Sequence, residues 1–177
     1  MRIVRSTRRR KTASARLVDG TIEVRVPAGM LPADEERCVA DLIRRTMRRQ
    51  RSDSVDLDRR AGRLATRFEL PRPRSVRWVD NQQRRWGSCT PHTGEIRISR
   101  QLADMPAWVL DYVLVHELAH LAVAAHDERF WALVNRYPRT ERARGFLIAK
   151  GLEADDAAPT APAQSGSPSA HEAAGAE

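Results

Sequence analysis

The segment His116-Glu117-Leu118-Ala119-His120 constrains this 177-residue chain more than any other feature. It is an H-E-x-x-H motif set in an apolar run, with Val113, Leu114 and Val115 before it and Leu121 and Val123 after it. A helix apolar nearly all round belongs inside a protein. Three polar or ionisable groups on such a helix need a partner, and a metal ion is the simplest one. On a helix, residues four apart lie one turn apart on the same face. Two imidazoles so placed can reach one ion at about 2.0–2.1 Å each, and the neighbouring Glu117 can reach water on that ion without ligating it. In a chain with 5 histidines the pattern would arise by chance only on the order of 0.01 times.

A catalytic zinc takes three protein ligands and keeps one position open. The sequence offers His126 as the third, ten residues after His116. A continuous helix would point it away from the other two, by about 80° and 120° at 100° per residue. The helix must therefore break before His126, and Asp127 reads as the cap of a new helix that would follow such a break. Ala124 and Ala125 do not explain the turn. Glu141 is the rival third ligand, and His92, in a turn, is a weaker one.

The rest of the chain reads as a mixture of strands and helices. Residues 12–27 form a hairpin about Asp19-Gly20, a favoured type I′ pair. Helices are expected over 33–50, with Cys38 in the core, and over about 56–67. Short strands follow near Val76 and Trp78, over 83–89 and over Glu95–Ser99. The motif helix should run from about 105 to 124 with Asp104 as its N-cap, followed by helices from Asp127 and from about Glu141 to Lys150. The expected fold is α+β, with a mixed or antiparallel sheet packed on the motif helix and two helices after it. Residues 1–83 form a basic N-terminal part, 84–152 the core of the same domain, and 153–177 a disordered acidic tail.

Charge is unevenly spread. Residues 1–85 hold 23 Lys and Arg against 11 Asp and Glu, while 153–177 hold 5 acids and no base. Nearly all the basic residues are arginines, which bind phosphate in a bidentate manner. Nucleic acid is thus a possible partner of the first half, although such a pattern also describes a solvated helix face. The two cysteines, Cys38 and Cys89, make no disulfide scaffold, which points to a reducing, cytoplasmic setting. Cys89 reads as a structural thiol. No run of 18 apolar residues exists, so no membrane span is expected. No apolar stretch follows the basic N-terminus, which speaks against a secretory signal.

Four segments carry a resemblance. Arg85-Trp86-Gly87-Ser88-Cys89-Thr90, then Gly94-Glu95-Ile96-Arg97-Ile98, then Tyr112 to His120, and finally His126-Asp127-Glu128-Arg129-Phe130-Trp131 resemble the YgjP-like metallopeptidase domain. The ending looks like that of the WLM and SprT-type proteases, which cut proteins cross-linked to DNA. The likeness is strong over about 84–135 and loose before that. It implies a zincin-like fold, zinc held by His116, His120 and His126, and Glu117 as general base. Val123 stands where the metzincin pattern requires glycine. The resemblance also implies a peptide-pairing edge strand, which Glu95–Ser99 would supply.

The function read from these residues is zinc-dependent hydrolysis of peptide bonds in a protein or peptide substrate. Two alternatives keep the metal: a nucleotide phosphoanhydride hydrolase, for which no Gly-rich phosphate loop is visible, and a nucleic-acid-binding module with a structural metal. An oxyanion stabiliser is also required, with Tyr112, Tyr137, His92 and Arg136 as candidates. Trp86, Trp108 and Trp131 should pack around the motif helix.

Overall fold

The structure, a computed structural model, describes residues 1–82 and 85–151. The expected acidic tail and the first two residues of the strand expected over 83–89 lie outside the described residues.

The N-terminal part is a three-stranded sheet, β1 (Arg2–Ser6), β2 (Ser14–Val18) and β3 (Thr21–Pro27), backed by the long helix α1 (Pro32–Asp53). The β2–β3 hairpin turns at Asp19 and Gly20, with φ of 48° and 75°, the two positive values a type I′ turn demands. The strand β1 was not expected. It pairs parallel to β3, Ile3 opposite Val24, so the basic N-terminus is an edge strand. Val24, Val26 and Val39 form a small core there. Cys38 is only half-buried, not a core residue, because α1 buries a narrow stripe centred on Val39.

The second and larger core begins at α2 (Leu57–Arg67), capped by Asp56, whose carboxylate accepts the Arg59 N–H. Three short strands follow: β4 (Ser75–Val79), β5 (Gly87–Thr90) and β6 (Glu95–Ser99). Their order is β4-β6-β5, with β6 parallel to β4 and antiparallel to β5. The sheet is therefore mixed. The strand Glu95–Ser99, expected at an edge, lies in the middle; the edge beside the motif is β5. The hairpin joining β5 to β6 through residues 91–94 inserts β5 on the far side of β6, and alternation alone could not reveal that order.

Val76, Ile96 and Ile98 turn inward against α3 (Ala107–Ala119), the motif helix. Every residue of α3 from Tyr112 to Ala119 is buried, as its all-round apolar composition requires. A half-buried ion pair of Arg60 with Asp111, at 2.6 Å, ties α2 to α3. Asp104 does not cap α3. It ends a 3-10 turn over Arg100–Asp104 and accepts Arg48 and Arg51 from α1, each at 2.5 Å, while Pro106 opens α3 without a side-chain cap. Asp104 thereby fastens the N-terminal helix to the core. The helices α4 (Glu128–Val134) and α5 (Thr140–Ala149) complete the α+β fold.

Candidate active site

The break demanded by the histidine spacing falls right after the motif. Helix α3 ends at Ala119 with His120 as its C-cap. The chain then tightens, with Leu121 N–H bonded to Leu118 O and Ala122 N–H to Ala119 O. The His120 ring closes the turn: its Nδ1 lies 3.1 Å from Val123 O. A carbonyl can only accept, so Nδ1 carries the proton and Nε2 keeps its lone pair. This bond, invisible to propensity, supplies what Ala124 and Ala125 could not. Asp127 then starts α4 as expected, accepting the Phe130 N–H at 3.0 Å.

The turn carries His126 back over the motif. His116 Nε2 and His126 Nε2 lie 3.2 Å apart, and the nitrogens of His116, His120 and His126 all fall within 4.8 Å of one another. Ligands on one tetrahedral ion at 2.0–2.1 Å would be about 3.3 Å apart, so the donor set fits a metal. Burial, followed by the neighbouring His120 and His126 rings and the charge of Arg144, holds His116 well below the ordinary imidazole value. It is therefore a neutral ring with a lone pair to give. Among the described residues, His116 Nδ1 has no hydrogen-bond partner; the ring is held at Nε2 alone, the atom that an ion would take.

Phe130 forms the floor. It is fully buried, with its ring centroid 4.9, 4.4 and 4.6 Å from those of His116, His120 and His126. Trp131 stacks on His126 at 6.0 Å. Glu117 is buried on the adjacent side of α3, against Gly87 of β5. Trp86, Gly87, Tyr112, Val113, His116, Glu117 and Leu147 line a small, partly open cavity of about 20 Å³, room for one water. Cys89, one alternation beyond Gly87, also faces inward; burial, then the Glu117 charge, push its thiol up to about 12. It is no nucleophile at neutral pH.

The remaining sequence candidates lie elsewhere. Glu141 is exposed and accepts Arg144 at 3.1 Å, outside the histidine cluster. His92 sits exposed in the β5–β6 turn. The Tyr137 hydroxyl donates to Trp108 O at 2.9 Å, and Arg136 donates to Phe68 O at 2.8 Å. Trp108 packs edge-on against Phe146 of α5. The guanidinium of Arg144, on α5, packs 4.7 Å from the centroid of the Trp131 ring.

Comparison with known proteins gives this arrangement its class, that of a metallopeptidase. The chain belongs to the family of the YgjP-like metallopeptidase domain, whose profile matches residues 5–148. The zymogen of the metallopeptidase abylysin from Pyrococcus abyssi shares the fold: it is 19% identical, with a TM-score of 0.50 over 56% of this chain and 99% of that one. The zymogen of jannalysin from Methanocaldococcus jannaschii is 15% identical, with a TM-score of 0.48 over 56% of this chain and 100% of that one. No curated protein sequence matches the chain. Among the described residues no helix is long and apolar enough to cross a membrane.

Proposed function

We propose that the chain is a zinc peptidase in which His116, His120 and His126 hold the metal and Glu117 is the general base. The observation that carries this reading is the convergence of three ring nitrogens within 4.8 Å of one another, next to a buried carboxylate that is not among them. Zinc suits three imidazoles and, when bound, supplies a Lewis acid and lowers the pKa of water at its open position to about 7. Glu117 takes a proton from the attacking water as its oxygen bonds to the scissile carbonyl carbon. The carbonyl π pair moves to oxygen. When it returns, the C–N bond breaks and Glu117 delivers the proton to the leaving amine. The β5 edge, paired with β6 on one side only among the described residues, offers main-chain groups to an extended peptide with little demand on its sequence. The unbridged cysteines suit a reducing compartment.

The test is Glu117→Gln in zinc-loaded protein. Zinc content by elemental analysis should stay at the parent level while cleavage of a casein substrate falls by about 10²–10⁴-fold, the range for a lost general base. Parent-like turnover would refute the mechanism. His126→Ala should lose zinc and Glu141→Ala should keep it.

A nucleic-acid partner is a second reading, favoured by one feature of the second sheet. Arg77 and Arg97 stand directly opposite on β4 and β6, both exposed, a like-charge pair that disfavours the sheet unless an anion offsets it. The arginines of α1 support it less, since Arg37, Arg48 and Arg51 already pair with aspartates. Salt-sensitive DNA or RNA binding that weakens in an Arg77→Ala, Arg97→Ala protein would support this partner; unchanged binding would move it off this face.

A further inference from the structure

The second sheet has two edges, and they differ. On the β4 edge the Val76 N–H donates to the Asp58 carboxylate of α2 at 2.7 Å, so α2 closes that edge there. The β5 edge has no such cover: among the described residues no backbone group outside the sheet bonds to the main chain of Gly87 or Cys89. Its hydrogen-bond phase is fixed by the Ser99 N–H, which donates to Trp86 O at 2.9 Å. Bonded and non-bonded pairs alternate along an antiparallel ladder. Ser88, opposite Arg97, therefore turns its main-chain groups toward β6, and Gly87 and Cys89 turn theirs to the open edge. A peptide strand added there would bond Gly87 and Cys89, and its residue opposite Ser88 would share the Ser88 face. That face looks away from α3, since Ile96 and Ile98 occupy the other one. Across it Ser88, Arg97 and Arg77 stand in one row over β5, β6 and β4. Both arginines are exposed, and among the described residues neither has an ion-pair partner. Ser88 Oγ accepts from Gln82 Nε2 at 2.7 Å, so its own hydrogen remains to be donated.

We propose that this row is a subsite for an acidic side chain of the substrate: the residue paired opposite Ser88 places an aspartate or glutamate carboxylate over Ser88, where Arg97 receives it with Arg77 behind. The assignment rests on the peptidase reading above, with β5 as the substrate-binding edge, and names the kind of peptide that edge selects. Two strand spacings, about 9.5 Å, separate the Arg97 Cα from that of such a residue. A glutamate and an arginine close this gap from its two ends, and the small Ser88 leaves the way between them clear. The carboxylate would also offset the like-charge pair. A single carboxylate fits the face better than a polyanion, because Glu95 lies two residues from Arg97 on the same side of β6 and would meet a phosphate backbone laid along the strand. Arg97 is thus a specificity-determining residue and takes no part in bond cleavage.

The test uses the zinc-loaded full chain and a set of otherwise identical, internally quenched fluorescent peptides in which each position flanking the cleaved bond is in turn Glu, Gln or Lys. At one position kcat/KM should favour Glu over Gln by about fivefold and over Lys by about tenfold or more, the scale of a partly exposed ion pair. The preference should shrink as salt is raised. Arg97→Gln should bring the Glu-to-Gln ratio close to one. Arg97→Glu, which sets an opposite charge beside Arg77 and so suits the sheet, should lower the Glu-to-Lys ratio by at least about tenfold. Fluorescence anisotropy of labelled Glu and Gln peptides on zinc-loaded Glu117→Gln protein should show the same preference in Kd. A parent with no acidic preference at any position, or one whose preference survives Arg97→Glu, would overturn the subsite and leave the peptidase reading standing. Salt-sensitive DNA binding lost in Arg97→Glu beside an unchanged peptide preference would also overturn it, by giving the arginines to nucleic acid. A zinc-loaded protein that neither binds nor cleaves any of the peptides would overturn both readings.

Discussion

Gly87 leaves the space that the Glu117 carboxylate fills: a Cβ built on Gly87 would lie 2.5 Å from Glu117 Oε1 and 2.8 Å from its Cγ. The edge strand and the motif helix meet at this point, and the absence of one side chain lets them close. Gly87→Ala must therefore push the carboxylate aside. The expected result is retained zinc with kcat reduced by at least about tenfold, since a proton acceptor displaced from its hydrogen-bonding distance loses much of its effect. Metal analysis beside peptide kinetics checks it; unchanged kcat would count against Glu117 as the proton acceptor.

Phe130 touches all three histidine rings from a fully buried position. Phe130→Ala should cost about 3–5 kcal/mol of stability and also weaken metal binding, because the cavity frees the rings that converge on it. Phe130→Leu should retain most of the stability. Chemical denaturation and zinc titration with a competing chelator read the two effects separately; full zinc affinity in a destabilised Phe130→Ala protein would show that the turn alone orders the ligands.

Much of this site was legible in the sequence because it depends on local chemistry. His116 and His120 follow from helical spacing, and the break before His126 from the angle that three converging rings impose. The cap at Asp127 follows from its own carboxylate. What stayed hidden depends on contacts far apart in the chain. The turn rests on a side-chain bond from His120 to Val123 O. The central place of β6 depends on strand order, which alternation does not encode. Asp104 resembles a cap and instead receives Arg48 and Arg51 from α1, more than fifty residues away. The pairing of β1 with β3 escaped for the same reason, since a short arginine-flanked segment becomes a strand only when a partner is present.

Cys89 makes a prediction about reactivity. Burial first, and the Glu117 charge second, push its thiol up to about 12, so at pH 8 the nucleophilic thiolate is scarce. Iodoacetamide at pH 8 should leave Cys89 unmodified in the folded protein and modify it after denaturation, as peptide mass mapping would show. Cys89→Ala should retain peptidase activity within about threefold, the loss of a small half-buried thiol being a modest packing change. Rapid alkylation at Cys89 coupled to loss of activity would contradict the half-buried, neutral thiol.

His116 gives the metal-free protein a pH dependence with a definite sign. Its folded value is depressed, chiefly by burial, while in the unfolded chain it titrates near the ordinary imidazole value of about 6.5. Below that pH the unfolded state binds a proton that the folded state refuses. Stability therefore rises with pH through this window and is lost as the pH falls below about 6.5, with a slope of up to about 1.4 kcal/mol per pH unit from this one group. Thermal melts of chelator-treated protein between pH 5 and 8 should show the decline, and His116→Gln should flatten it because no proton is then exchanged at that position. A slope unaffected by the substitution would assign the acid sensitivity to other groups.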